Sequence, residues 1–183
     1  HSESDGVALS ENGRFAAIAV AGEPVNELLI VDLEQHSATR IVGANPRVKL
    51  AHPAFSADGN RVAMVATPPS YFGISEIWVL DLNTEEVERI GERDLVYAFP
   101  TFSRGGDRLL YFKESRSTEI SLRRRIQPEY RSLSIRYGLA EFDFSSRRER
   151  DILLSRLAGP CGLGYGSGDG TAFVCARSQS EQA

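Results

Sequence analysis

Residues 55–90 read FSADGNRVAMVATPPSYFGISEIWVLDLNTEEVERI, and this stretch decides the fold. It holds an apolar strand end at Phe55, a turn at 56–59, two apolar strands, and a polar turn that leads to a short fourth strand. Runs of β-branched, aromatic and small apolar residues separated by turn residues are typical of β-strands. The stretch therefore predicts four short antiparallel strands joined in succession.

The turn serine of this stretch recurs along the chain, each time with a glycine three residues later. The pairs are Ser10 with Gly13, Ser56 with Gly59, Ser103 with Gly106, and Ser167 with Gly170. Glycine suits a tight turn because it tolerates positive φ. An apolar run follows each turn, at 14–20, 61–66, 108–113 and 171–176. The chain is therefore predicted to be a repeat protein whose fold follows from its period.

An aspartate closes a strand-like run in three of the repeats, at Asp32, Asp81 and Asp143. An isoleucine stands nine residues after each one, as a strand, a polar turn and a returning strand would require. Only the interval from turn serine to aspartate varies, and loops accept insertions where a sheet does not. Because the aspartates recur once per repeat, we expect them to bind turn backbone rather than to form an acid–base pair.

A unit of about 46 residues with four short antiparallel strands is the blade of a β-propeller. The predicted fold is all-β, a partial β-propeller of about three and a half four-stranded antiparallel blades; an antiparallel sandwich is the alternative. The predicted blades span about 5–43, 50–91 and 97–155, the last with an inserted hairpin at 114–138, and a fourth begins at about 162–177.

An open array of blades leaves a strand edge and the faces of its terminal blades in water. The chain is therefore expected to be part of a longer propeller. Completion by a second copy, or an independently stable arc, are the alternatives.

The pattern of blade two, F-S-x-D-G-x-x-V-A followed by I-W-V-x-D-L-x-T-x-E, resembles the WD40-like (PD40) repeats of the TolB type. The residues that carry the resemblance are Phe55, Ser56, Asp58, Gly59, Ile77, Val79, Asp81, Leu82, Thr84 and Glu86. Such repeats form the propellers of TolB and of prolyl-oligopeptidase-like peptidases. Blades one and three match more loosely, since Asn12 replaces the turn aspartate and Arg104-Gly105-Gly106 alters the turn. These motifs maintain blades, so the resemblance implies a scaffold rather than an activity.

Composition and charge select no unusual class of protein. With 183 residues and 42% hydrophobic residues the chain can bury a sizeable core. A net charge of −4 argues against nucleic acid as a partner. No apolar run approaches the roughly 18 to 20 residues that a membrane-spanning helix needs, so no membrane span is expected.

The loops between second and third strands are the predicted binding face, because they share one end of a propeller and one of them is long. The segment 114–138 carries six arginines against three glutamates, a basic island on an acidic chain. Arginine forks bind carboxylates and tyrosines add stacking surfaces, which favours an acidic protein or peptide partner; a hairpin that only faces water is the alternative. The candidate partner-binding residues are Tyr71, Phe72, Arg123, Arg124, Arg125, Tyr130 and Arg131.

No catalytic constellation is found, so the chain is interpreted as more consistent with a binding module than with an enzyme. Ser167 lacks the Gly-x-Ser-x-Gly register of a nucleophile elbow. The glycines of 159–170 match neither a dinucleotide-binding nor a P-loop pattern. His1, His36 and His52 lack metal-ligand spacing, so neither a metal nor a cofactor is predicted. Trp78 lies in mid-strand and is expected in the core.

Cys161 and Cys175 fall in the first two predicted strands of blade four. Neighbouring antiparallel strands can bring a pair within disulfide reach, so these cysteines are a candidate disulfide, or else they only pack. The resemblance implies two functions: a TolB-like protein-binding scaffold in the bacterial periplasm, or the gating propeller of a prolyl-oligopeptidase-like serine peptidase. A cytoplasmic location is the alternative to the periplasm.

Overall fold

The computed structural model describes residues 3–21, 26–42, 47–69, 74–92, 95–114, 137–153, 161–166 and 173–177. These residues form three antiparallel four-stranded sheets and one two-stranded sheet. Sheet one contains β1 (Glu3–Leu9), β2 (Phe15–Ala21), β3 (Glu27–Asp32) and β4 (Ser37–Val42). Sheet two contains β5 (Lys49–Phe55), β6 (Arg61–Thr67), β7 (Glu76–Asp81) and β8 (Val87–Ile90). Sheet three contains β9 (Tyr97–Phe102), β10 (Arg108–Glu114), β11 (Tyr137–Asp143) and β12 (Arg148–Leu153). Sheet four contains β13 (Cys161–Gly166) and β14 (Phe173–Arg177).

Each four-stranded sheet keeps its strands in chain order, and neighbouring sheets meet through their first strands. β1 contacts β5, β5 contacts β9, and β9 contacts β13. The first strand of each sheet therefore lies innermost, and the later strands fan outwards from a shared axis. This is the arrangement of propeller blades, and it confirms the predicted all-β fold.

The serine of the Ser-x-x-Gly turn accepts the backbone N–H of the residue five positions later in all three large sheets. In sheet two the Ser56 hydroxyl accepts the Arg61 N–H at 2.9 Å and donates to Asp58 Oδ1 at 2.5 Å. Ser10 and Ser103 accept in the same way from Phe15 and Arg108. Gly13, Gly59 and Gly106 have φ values of 71°, 72° and 70°, as the sequence predicted.

The strand-closing aspartates bind the turn that follows each third strand. Asp32 Oδ1 accepts the Gln35 N–H at 2.9 Å, and Asp81 Oδ1 accepts the Asn83 N–H at 2.8 Å. Asp143 Oδ1 accepts the Ser146 N–H at 2.8 Å. The pKa values of Asp32 and Asp143 lie below the ordinary value because these backbone N–H groups favour the ionised form. The predicted structural role of the aspartates is confirmed.

Side-chain alternation gives each large sheet two faces. The back face of one sheet packs against the front face of the next, from sheet one to sheet two and from sheet two to sheet three. The back face of sheet one packs against the front face of sheet two through Ala17, Leu28, Ile30, Val62, Met64, Trp78 and Leu80. The back face of sheet two packs against the front face of sheet three through Ala63, Ile77, Val79, Leu109, Tyr111 and Ala140. Sheet two is thus covered on both faces, which explains the unbroken apolar runs of β6 and β7. Trp78 is buried, as expected.

The second strands end, and the third strands begin, at one end of each sheet, called the loop end here. The pairs that mark it are Val20 with Glu27, Ala66 with Glu76, and Glu114 with Tyr137. The Ser-x-x-Gly turns and the aspartate turns lie at the other end, called the turn end. The alternating strand directions thus bring the last residues of all three second strands and the first residues of all three third strands to the loop end.

Candidate functional site

The predicted partner-binding residues lie outside the described residues. These are Tyr71, Phe72, Arg123, Arg124, Arg125, Tyr130 and Arg131, together with the predicted hairpin between Glu114 and Gly138 apart from its ends. The structure does place the strands that carry them. β10 and β11 stay paired from Arg108 with Asp143 up to Glu114 with Tyr137, so the long insertion leaves and re-enters sheet three on adjacent strands.

Tyr97, the first residue of β9, fixes the contact between sheets two and three at the loop end. Its N–H donates to Ser75 Oγ at 2.7 Å, and Ser75 Oγ donates to the Tyr97 carbonyl at 3.1 Å. The phenol oxygen accepts the Glu92 N–H at 2.6 Å. A Cβ at Gly91, whose φ is 106°, would lie 2.6 Å from the Tyr97 ring, so glycine leaves the room that the ring needs. Tyr97 is therefore held by two residues that flank strands of sheet two: Ser75, just before β7, and Glu92, just after β8.

A charged cluster lies beside Tyr97 at the base of the long insertion. The Lys113 ammonium contacts Glu149 and lies 2.7 Å from Asp151 Oδ1, and the Tyr111 hydroxyl donates to Glu149. Burial opposes the charge on Lys113, but hydrogen bonds to Asp151 and Glu149 outweigh it and raise the pKa of Lys113. Lys113 is thus held as a cation between two carboxylates, directly before the insertion begins.

The two tyrosines of this region stay neutral at physiological pH. Burial raises the pKa of Tyr97 to about 12. Burial, followed by the hydrogen bond to Glu149, raises the pKa of Tyr111 well above its ordinary value. The rings of Tyr97 and Tyr111 meet edge to face with centroids 5.6 Å apart. The described part of the loop end therefore offers fixed aromatic and charged groups, an arrangement suited to supporting a binding surface.

A second feature lies on the innermost strands, where β1, β5 and β9 each contain a β-bulge. The residue four positions before the turn serine has positive φ in all three strands: 133° at Gly6, 51° at His52 and 51° at Phe99. The rings of His52 and Phe99 lie 4.4 Å apart. Positive φ in a non-glycine residue is a sparsely populated conformation that is often found at functional sites. The bulges place residues of the same repeat position in three successive blades next to one another around the axis.

Sequence analysis missed both the charged cluster and the bulges. The signal for the bulges was present, since proline follows His52 and Phe99 at the same distance from Ser56 and Ser103. The cluster had no sequence signal, because the Tyr111 and Lys113 side chains meet Glu149 only through strand pairing across sheet three. Among the described residues, no group of three or more His, Cys, Asp or Glu could hold a metal ion.

The candidate disulfide residues lie on paired strands. The register sets Cys161 opposite Arg177, and Cys175 opposite Gly164, with an irregularity between Cys161 and Leu163. Their side chains are outside the described part of the structure, and the disulfide stays a prediction.

Solved structures with the same fold include two TolB proteins and a peptidase propeller. TolB from Acinetobacter baumannii matches with a TM-score of 0.65 and 18% identity over 97% of this chain and 39% of that chain. A protein assigned as TolB from Agrobacterium tumefaciens matches with a TM-score of 0.59 and 16% identity over 84% of this chain and 49% of that one. The third is the β-propeller domain of the Trilobed protease from Pyrococcus furiosus, which is described as having an open velcro topology. It matches with a TM-score of 0.58 and 18% identity over 85% of this chain and 44% of that chain.

These likenesses confirm the resemblance to TolB-like propellers at the level of the fold. The chain spans about half, or less, of the length of each of these three structures. No protein-family model and no curated protein sequence matches the chain. Within the described ranges, no helix is long and apolar enough to cross a membrane.

Proposed function

We propose that this propeller is a non-catalytic scaffold that binds a protein or peptide partner through its loop end. The observation that carries the proposal is the fixed base of the long insertion, where Tyr97 is held by sheet two and Lys113 by two carboxylates. A surface supported by rigid strands loses less conformational entropy on binding than a surface on free loops.

The charge of the insertion favours an acidic partner. Segment 114–138 has six arginines and three glutamates, and Glu149 and Asp151 at its base are already engaged by Lys113. The arginines of the insertion therefore do not need these carboxylates as counter-ions. Arg123, Arg124, Arg125 and Arg131 would engage carboxylates of the partner, while Tyr71, Phe72 and Tyr130 would supply the aromatic anchors.

The test compares two double variants that remove the same charge from opposite ends of the propeller. Arg124→Ala with Arg125→Ala changes the insertion, whereas Arg104→Ala with Arg148→Ala changes two exposed residues of the turn end. Binding to an immobilised library of acidic peptides is measured at two salt concentrations. We expect the insertion variant to lose at least tenfold in affinity for the selected peptides and the control to lose less than twofold. Equal losses in the two variants would contradict the proposal.

A gating propeller of a prolyl-oligopeptidase-like serine peptidase is the second candidate. It is supported by the match to the propeller domain of the Trilobed protease. Labelling the full-length protein with a fluorophosphonate probe, which reacts with activated serines, distinguishes the two functions. Labelling of a serine outside these 183 residues would favour the peptidase and count against the scaffold.

We also propose an extracytoplasmic location, in the periplasm of a bacterium, on the basis of the likeness to two TolB structures. A fusion of the full-length protein to alkaline phosphatase, which requires an oxidising compartment to become active, provides the test. An inactive fusion would place the protein in the cytoplasm.

A further inference from the structure

The β-bulges of the innermost strands have the same register in three successive blades. In each one, two residues oppose a single residue of the second strand: 5–6 oppose Ala19, 52–53 oppose Met64, and 99–100 oppose Tyr111. A bulge re-aims a side chain, and bulges are frequent next to functional sites. The side chain that is re-aimed here belongs to one repeat position, occupied by Gly6, His52 and Phe99.

His52 and Phe99 adopt the bulge conformation at a conformational cost. Both have a φ of 51°, and both precede a proline, which favours a negative φ in the residue before it. A positive φ is uncommon outside glycine and is least expected in a bulky residue. Glycine would avoid that cost, and Gly6 already occupies the position in blade one. Strain that a glycine would remove points to a role for the two side chains.

The two strained residues bring their rings into contact with each other. The centroids of the His52 and Phe99 rings lie 4.4 Å apart, and the Phe99 ring meets the Phe112 ring edge to face at 6.4 Å. Phe112 is buried, so Phe99 is anchored on the core of the fold. His52, in contrast, is exposed. Packing thus accounts for the position of Phe99, whereas burial does not offset the strain at His52.

Blade one supplies no ring at this repeat position. Gly6 has a φ of 133°, and a Cβ there would lie 3.1 Å from Pro53 Cδ and 3.4 Å from the His52 backbone nitrogen. The Gly6 backbone therefore packs directly on the bulge of β5, and a side chain at this position would be strained. The series of rings begins at His52, beside backbone that carries no side chain. An aromatic ring placed there would contact the imidazole as His52 itself contacts Phe99.

We propose that His52 and Phe99 form a binding site for a planar aromatic ring, which lies against the exposed imidazole beside the Gly6 backbone. Contact between the rings orients the ligand, and the imidazole nitrogens bind a polar group next to the ligand's ring. His52 lies in the middle of β5, so this site is separate from the loop end and does not rest on the function proposed there. A free aromatic molecule and an aromatic side chain of a peptide share this chemistry.

The test measures binding of a fluorinated N-acetyltryptophan amide to the full-length protein by fluorine NMR. His52→Asn removes the imidazole, and asparagine tolerates positive φ, so the bulge is retained. His36→Asn is the matched control, because His36 is also exposed and has a φ of 52° but lies in the turn between β3 and β4. We expect His52→Asn to weaken binding about fivefold or more and His36→Asn to change it less than about twofold. Equal effects of the two variants, or no binding to the unmodified protein, would overturn the proposal.

Competing probes test the chemistry of the ligand. N-acetylcyclohexylalanine amide has nearly the shape of N-acetylphenylalanine amide but no aromatic ring, so it should compete about fivefold more weakly. Equal competition would overturn the proposal, because it would show that the site selects apolar volume only. A tryptophan flanked by glycines in a short peptide distinguishes the two sources. Stronger competition by this peptide than by the tryptophan amide supports the site with a peptide as its ligand, and weaker competition supports it with a small molecule.

Two further variants keep the test independent of folding defects and of the loop end. His52→Gly introduces the residue that blade one already has at this position, relieves the strain, and should lose the same affinity without a lower unfolding midpoint. Arg124→Ala with Arg125→Ala should bind the aromatic probe as the unmodified protein does. Full binding by His52→Gly would overturn the proposal, and so would loss of binding in the arginine variant.

Discussion

The guanidinium carbon of Arg61 lies 4.7 Å from the ring centroid of Phe144, so a residue of sheet two covers an aromatic residue of sheet three. The same group lies 5.2 Å from the Phe102 ring centroid, and its Nη2 donates to the Gly106 carbonyl at 2.5 Å. One side chain thus joins two blades by stacking and by a hydrogen bond at the turn end.

We predict that Arg61→Ala lowers the free energy of unfolding by about 1–3 kcal/mol, because it removes two cation–π contacts and a hydrogen bond to a charged donor. Arg14→Ala is the control, since Arg14 pairs with Asp32 inside its own sheet. Urea unfolding of both variants gives the comparison. If Arg14→Ala lowers the free energy of unfolding as much as Arg61→Ala does, the contact between blades stabilises the fold no more than a contact within one sheet.

Substitutions at two equivalent turn glycines, Gly13 and Gly106, distinguish the cost of backbone strain from the cost of disturbing Arg61. Gly13 and Gly106 have φ values of 71° and 70°, yet a Cβ at Gly13 would meet nothing within 4 Å, while a Cβ at Gly106 would lie 2.9 Å from Arg61 Nη2. Alanine in a left-handed conformation costs roughly 1–2 kcal/mol in either turn. We predict that Gly106→Ala costs more than Gly13→Ala and that the excess disappears in an Arg61→Ala background. A double-mutant cycle measures that coupling, and an excess that persists would contradict its assignment to Arg61.

The buried serine of the turn in sheet two should matter more than its partly exposed counterpart in sheet three. Ser56 is fully buried and accepts the Arg61 N–H. Ser56→Ala leaves that donor unsatisfied, at an expected cost of about 1–3 kcal/mol. Water can replace the hydroxyl of Ser103, which is half-buried, so Ser103→Ala should cost less. Chemical denaturation of the two variants gives the order, and the reverse order would disprove this explanation.

The buried tyrosines predict a loss of stability at alkaline pH. Tyr97 has a pKa of about 12 in the folded chain against an ordinary value of 10.0. Below pH 10 the phenol is neutral in both states, and the stability it contributes is fully present. As the pH rises from 10 towards 12, the unfolded chain loses the proton first, so the free energy of unfolding falls.

We therefore predict that Tyr97→Phe reduces the slope of unfolding free energy against pH in this range without abolishing it, since Tyr111 and Lys113, whose pKa values are also raised, contribute in the same direction. The same variant should lose about 1 kcal/mol at neutral pH, because the Glu92 N–H loses its acceptor. Urea titrations at several alkaline pH values provide the measurement. An unchanged slope would mean that Tyr97 ionises equally in both states.

The period of the sequence was enough to predict the blades, because the residues that repeat form hydrogen bonds only with nearby backbone. Ser56 and Asp81 bind backbone within five residues of themselves, so their spacing reports turns directly. The side-chain contacts between strands that are far apart in the sequence, whether within one blade or between two, could not be predicted in this way. Arg61 meets Phe144 from a distance of 83 positions, and Lys113 meets Glu149 from 36, and no repeat pattern encodes which of two faces such a side chain will occupy. The predicted partner-binding residues lie in the connections, where length and composition vary and the period gives no information.

At most positions of a strand, the side chain must suit both its own surroundings and the residue paired with it on the next strand. The bulged residues of the innermost strands are free of the second requirement. The extra residue of a bulge is left out of the regular ladder, so its identity is not constrained by cross-strand pairing. Glycine, histidine and phenylalanine already occupy this one repeat position in three neighbouring blades. The innermost strands thus contain one repeat position whose side chain can differ from blade to blade without a change in the neighbouring cross-strand pairs.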